Sequence, residues 1–215
     1  MSARNPSKVS PNRPSAWDAR HRTAAQSAFA EPASIVRELL PLLPTGPALD
    51  VACGAGRHTL LLAARPQSVT ALDSSIAALD ILEQRAHDAG LAVRQVRNSD
   101  TIAASHHGID LIHADLERTI LPADSFALVL CLQYLQRSLF GQIARSLAPG
   151  GVLLFETYTQ AQLEFPGGPK NPEHLLEHGE LRTGFPTLRL LFYRELRGGR
   201  GIASLIAQKP FGTNG

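Results

Sequence analysis

The 215-residue sequence holds only two cysteines, Cys53 and Cys131, each inside an apolar stretch. That scarcity excludes a disulfide framework as an expectation and favours a reducing, cytoplasmic compartment. No run approaches the ~20 uninterrupted apolar residues that a membrane helix requires, so no membrane partner is expected. Charge of one sign is also lacking: the formal net charge is +2, with Lys and Arg scattered along the chain, and a nucleic-acid surface is not expected. What is present, 44% hydrophobic and 19% charged residues, suits one globular domain with a sizeable core.

The first 16 residues, "MSARNPSKVSPNRPSA", are polar and carry Arg4, Lys8 and Arg13 without an acid. They read as a disordered tail rather than a transit peptide, because three prolines and few apolar residues leave no amphipathic face. A secretory signal lacks its apolar core there. The single domain is expected over residues 17–210.

From residue 46 onward, strand and helix patterns alternate. "PALDVAC" is an apolar run suited to a strand buried on both faces, and "HTLLLAA" continues as a helix that ends near Arg65 and Pro66. "SVTALD" reads as a second strand. Ser74 or Ser75 can cap the next helix, whose Ile76, Leu79, Leu82 and Ala86 share one side before Gly90 closes it. "IDLIHADLE" and "FALVLCLQY" make two more strands, and a helix spans Ser138 to Leu147 before "APGG". "VLLFETYT", "LRLLFYREL" and "GIASLIAQK" complete a set of seven, the last two joined by the tight "RGGR" turn. The expected fold is α/β: a seven-stranded, mostly parallel Rossmann-like sheet, with helices on both faces and a C-terminal antiparallel hairpin.

Ligands of such sheets lie beyond the carboxyl ends of the strands, at the point where strand order reverses. There Gly54 and Gly56 let the backbone approach a ligand closely. The third glycine of a dinucleotide fingerprint is missing, since residue 59 is Thr, and Asp50 ends the first strand, where a carboxylate would oppose a pyrophosphate. An ammonium group suits Asp50 better. Asp73, ending the second strand, can hold both hydroxyls of a ribose, each charge-assisted bond being worth about 1.5–3 kcal/mol. Asp115, in "HADLE", is placed to accept from an adenine amine, with the Leu116 amide facing a ring nitrogen. A phosphate-free ribonucleoside bearing an amino acid is S-adenosylmethionine.

"LDVACGAGRH", "ALDSS", "HADLE" and "LAPGGVLLFET" together resemble the successive motifs of a class I S-adenosylmethionine-dependent methyltransferase, over roughly residues 46 to 160. "WDARHR" at 17–22 and the "GEL" stretch at Gly179–Leu181 are similar to segments of the small bacterial tellurite-resistance and thiopurine methyltransferases. The resemblance implies a cofactor site built from Asp50, Ala52, Cys53, Gly54, Gly56, Arg57, Asp73, Ser74, Asp115, Leu116 and Gln133. It departs from the family pattern at Ala52, where Gly is frequent and a negative φ is expected of the alanine. "RQVRNSDTIAASHHG", residues 94–108, reads as an insertion before the third strand, and the Asn-Pro-Pro-Tyr motif of an amino-methylating subgroup is absent.

The resemblance further implies methyl transfer, enzyme class 2.1.1, by in-line displacement onto a small-molecule acceptor; a general base is optional, because the sulfonium already activates the methyl. Tyr134 and Arg137, in "QYLQR", are the catalytic candidates: Tyr134 to orient a nucleophile or act as a weak base, Arg137 to hold an anionic group bidentately. Packing and helix capping are the competing roles for the two. A non-catalytic cofactor- or partner-binding module, or a protein or RNA acceptor, is the alternative function. His106, His107 and His113 lack metal-ligand spacing, so no metal is expected. The long segment "QAQLEFPGGPKNPEHLLEHGELRTGF", residues 160–185, is placed to form a substrate lid.

Overall fold

The computed structural model describes residues 31–96 and 107–212. The tail 1–16, the Trp-Asp segment 17–22 and most of the 94–108 stretch, His106 included, lie outside the described residues.

Four central strands form where the sequence is most continuously apolar: β1 (Ala48–Val51), β2 (Ser68–Asp73), β4 (Gly108–His113) and β5 (Phe126–Leu132). Buried on both faces, they pair in parallel, with Asp50 opposite Ala71 and Leu130. With β3 (Val93–Gln95), β6 (Leu147–Tyr158), β7 (Arg189–Arg197) and β8 (Gly201–Gln208), the order is β3-β4-β2-β1-β5-β6-β8-β7, an eight-stranded sheet. The strand beyond the expected seven is β3, which falls at the start of the supposed insertion. Its exposed Arg94 and Gln95 give no strand signal. What fixes it is a two-pronged bond from Arg94 to buried Asp110 on β4, at 2.9 and 3.1 Å.

On one face lie α1 (Ser34–Leu39), α2 (Arg57–Ala63) and α3 (Ile76–Asp88). They bury Ile35, Val36 and Leu62 against Ala48, Leu128, Leu130 and Leu154, and Leu79, Leu82 and Ala86 against Ala71, Ile109 and Leu111. Each leucine, isoleucine or valine among them removed from water contributes about 1.5–3 kcal/mol. Ser75 caps α3 by accepting from the Ala78 amide at 3.2 Å. Ile76, expected on the buried side, is instead exposed, because it sits at the first helical position, ahead of the turns that meet the sheet. The opposite face is covered by α4 (Phe140–Ser146) and the short α5 (Glu180–Thr183), where Phe140, Phe155 and Phe185 form one aromatic cluster. A Cβ on Gly184 would come within 2.8 Å of the Phe140 ring, so glycine permits that closeness.

β6 runs parallel to β5, and β8 returns antiparallel between β6 and the edge strand β7. The chain leaves β1 toward β2 and later crosses to β5 on its other side, so strand order reverses at β1. That places the ligand crevice over the β1 carboxyl end.

Candidate active site

The backbone turns sharply after β1. Ala52, Gly54 and Gly56 all adopt left-handed conformations, with φ of 56°, 55° and 80°. The negative φ expected of Ala52 is therefore corrected: the corner needs three left-handed residues, and the alanine bears roughly 1–2 kcal/mol of strain there. Gly56 has a second reason to be glycine, since a Cβ would lie 2.0 Å from Leu82 Cδ1. Its missing side chain lets the start of α2 close onto α3.

Asp73 holds the corner in place. Its Oδ2 accepts from the Gly54 amide at 2.7 Å and its Oδ1 from the Ser75 amide at 2.8 Å. A carboxylate offers about four acceptor sites, so two remain for a ligand. Asp50, almost fully buried, accepts from Thr59 Oγ at 2.6 Å. Burial, reinforced by the charge of Asp73, pushes its carboxyl up to about 7, against the opposing pull of Thr59 and Arg57. Thr59 was legible only as a missing glycine; the first turns of α2 carry it over β1.

Arg57 opens α2, half-buried, with Nη1 3.4 Å from the Glu31 carbonyl; burial lowers its pKa. His58 behind it accepts from the Ala33 amide at 3.1 Å, and burial followed by the Arg57 charge drives its pKa down to about 3, so it is a neutral structural residue. Burial raises the Cys53 and Cys131 thiols well above their ordinary range, and neither is a nucleophile. Among the described residues, no group of three His, Cys, Asp or Glu is placed to hold a metal.

Asp115 and Leu116 fall in the turn after β4 rather than on the strand. The Asp115 carboxylate accepts from the Glu117 amide at 3.0 Å, while Leu116 is buried. Ser74, exposed beside Asp73, turns its carbonyl toward His113 Nε2 at 3.1 Å, which joins β2 to β4 at the rim. After β5, Gln133 is left-handed at φ 58° and donates its amide to the Glu156 carbonyl at 2.7 Å. Tyr134 donates its hydroxyl to Gln136, which bonds in turn to the Leu116 carbonyl at 3.3 Å. Burial raises the Tyr134 pKa, which keeps the phenol protonated and makes it a donor rather than a base. Arg137 is turned away from the role of anion clamp. Its fork closes on Glu180 at 2.5 and 2.8 Å and donates to the carbonyls of Glu173 and Leu175 at 3.0 and 2.9 Å. The 160–185 segment that it grips is a wall, with Leu175, Leu176 and Leu181 fully buried.

A doubly wound sheet with a glycine corner at its switch point, flanked by one carboxylate on each of two adjacent strands, defines a Rossmann-like α/β protein. Residues 49–155 match the methyltransferase domain family, a likeness that supports a class I S-adenosylmethionine-dependent methyltransferase with S-adenosylmethionine as its cofactor. The fold is shared with TehB from Haemophilus influenzae, at TM-score 0.66 and 16% identity over 86% of this chain and 65% of that one. It is shared likewise with the N-methyltransferase NodS from Bradyrhizobium japonicum, at TM-score 0.61 and 17% identity over 89% and 95%. A methyltransferase from Mesorhizobium loti gives 0.60 and 19% identity over 81% and 96%. No curated protein sequence matches significantly. No helix among the described residues is long and apolar enough to cross a membrane.

Proposed function

We propose that this protein transfers a methyl group from S-adenosylmethionine to a small-molecule acceptor by in-line displacement. When bound, the cofactor supplies a methyl carbon already activated by its sulfonium. The residues that would hold it are Asp73 for the ribose, Asp50 for the amino group, the Gly54–Gly56 corner for close approach, Ser74, Asp115 and Leu116 for the adenine end, and Ala52, Cys53, Arg57 and Gln133 around the methionine end. The observation that carries this reading is the shared side of Asp50 and Asp73. Both face α1–α3, and both lie against the glycine corner, one through Thr59 and the other directly through the Gly54 amide. Two carboxylates there favour a cationic, phosphate-free nucleoside over a pyrophosphate.

The protein's share of the chemistry is alignment and exclusion of water, worth up to about 7–11 kcal/mol for a well-oriented pair. Tyr134, fixed by Gln136, orients the acceptor, and Arg137 holds the wall beside it through Glu180. Calorimetry with S-adenosylmethionine and S-adenosylhomocysteine tests the reading. Sub-millimolar binding weakened at least tenfold by Asp73→Ala is expected, together with transfer of labelled methyl to a small acceptor. Binding without transfer to any acceptor, or transfer confined to a protein, would replace it.

A further inference from the structure

At the carboxyl end of β6 lies a buried carboxylate that the cofactor site does not use. Register places Leu132, Glu156, Ser204 and Arg194 in one row across β5, β6, β8 and β7. Glu156 is two residues beyond Leu154, which packs with α1 and α2, so its side chain faces the same side of the sheet as Asp50. Only β5 separates β1 from β6, which sets the two carboxylates' strands about 10 Å apart.

Glu156 is 2% exposed, and its surroundings fix one oxygen only. Ser204 Oγ donates to Oε2 at 2.6 Å and Arg194 Nη2 lies 3.9 Å from that same atom. Among the described residues, Oε1 has no hydrogen-bond partner. Arg194 is itself held by Ser204 and by the ring of Phe192, 5.8 Å from its centroid. Beside this row, Phe192 and Leu196 are 39% and 41% exposed, and Tyr158 is half-buried. A buried carboxylate with one oxygen fixed and one open, on an apolar floor and facing the cofactor side, is the arrangement of a proton acceptor.

Resting on the methyl-transfer reading, we propose that Glu156 binds and deprotonates the methyl acceptor, a neutral molecule with an apolar body and an O–H or S–H nucleophile. The acceptor heteroatom forms the bond to the methyl carbon, the carbon–sulfur electron pair returns to sulfur, and the acceptor proton passes to Glu156 and from there to solvent. Ser204 and Arg194 are positioning residues that hold Glu156 in place and aimed. The other charge that interacts with it is Arg57 on α2, which interacts in turn with Asp50 and with Arg200 of the β7–β8 turn. An anionic acceptor is disfavoured, because it would meet a buried carboxylate whose nearest cation, Arg194, is already committed to it.

The test compares the wild type with Glu156→Gln and Ser204→Ala, using phenol, 4-nitrophenol, thiophenol, benzoate and tellurite as probes. Calorimetry on the S-adenosylhomocysteine complex is expected to show phenol bound at least tenfold more tightly than benzoate, and Glu156→Gln is expected to erase that preference. In labelled-methyl assays Glu156→Gln lowers kcat for phenol at least 100-fold and much less for the more acidic 4-nitrophenol, while affinity for S-adenosylmethionine stays within twofold and certifies folding. Ser204→Ala gives a smaller loss and shifts the pH profile. Preference for benzoate or tellurite, binding of none of the probes, or a Glu156→Gln rate on phenol within threefold of wild type would each overturn the proposal. Failure of the wild type to bind S-adenosylmethionine would instead bring down the methyl-transfer reading beneath it.

Discussion

Thr59, in the first turns of α2, gives its hydroxyl to the buried carboxyl of Asp50 at 2.6 Å and is the one hydrogen-bonded side chain that Asp50 has among the described residues. The contact ties the helix to the strand before the corner. It also leaves Asp50 short of the partners that an ionised carboxylate requires.

Cofactor affinity is therefore expected to depend on pH. Burial raises the Asp50 pKa from 3.8 to about 7, and the proposed contact with the cofactor's ammonium needs the ionised form. Binding strengthens as pH rises through about 7 and releases a proton below it. Calorimetry at pH 5.5 and 8 in buffers of different ionisation enthalpy checks this, with an expected affinity difference of about tenfold or more.

The same group sets the sign of a stability effect. Its folded pKa lies above the unfolded value, so the native state holds the proton more tightly and stability falls as pH rises from about 4 to 7. Asp50→Asn keeps an acceptor for Thr59 and removes the charge. It is expected to raise unfolding stability at pH 8 by at least about 1 kcal/mol while weakening cofactor binding at least tenfold, read by denaturant unfolding and calorimetry.

Gly56→Ala puts a methyl group 2.0 Å from Leu82 Cδ1 at a φ of 80°. Overpacking and left-handed strain together cost about 2–5 kcal/mol. Adding Leu82→Ala relieves the clash but not the strain, so the double variant is expected to be less destabilised than the sum of the singles; a double-mutant cycle in urea measures the coupling.

The central strands and the hairpin were legible because continuous apolar runs and a glycine turn carry their own signal; SVTALD became β2 at its exact bounds. β3 was not, because Arg94 and Gln95 look like loop, and the strand depends on Asp110, sixteen residues away. Within the site, Asp50, Asp73 and the glycines could be placed from their positions at strand ends. Thr59 could not, since a helix of unknown direction sets what it touches. Arg137 next to β5 suggested an anion clamp, and only the fold brings Glu180, 43 residues later, against it.

That clamp predicts a local effect. The Arg137 and Glu180 side chains are 44% and 23% exposed, so the ion pair alone is worth little, about 0–1 kcal/mol. Arg137 also satisfies the carbonyls of Glu173 and Leu175, and Lys lacks the planar fork to reach both together with the carboxylate. Arg137→Lys is therefore expected to behave nearly as Arg137→Ala, with faster amide exchange over residues 172–184, while global unfolding shifts by about 1–2 kcal/mol.

Ala52 separates two kinds of strain at the corner. Ala52→Gly removes about 1–2 kcal/mol of left-handed cost and adds about 0.4–1 kcal/mol of unfolded-chain entropy, so stability is expected to change little or rise slightly. Ala52→Val places a β-branched side chain at a φ of 56°, where its second methyl group crowds the backbone, and the loss is expected to exceed 2 kcal/mol. Because the Gly54 amide and Asp73 both depend on that corner, cofactor affinity follows the same order, Gly equal to or above Ala and Val far below. Thermal unfolding with and without S-adenosylhomocysteine reads both effects in one experiment. A valine variant that kept wild-type stability would mean that the corner tolerates a different backbone, and the close approach assigned to Gly54 would lose its basis.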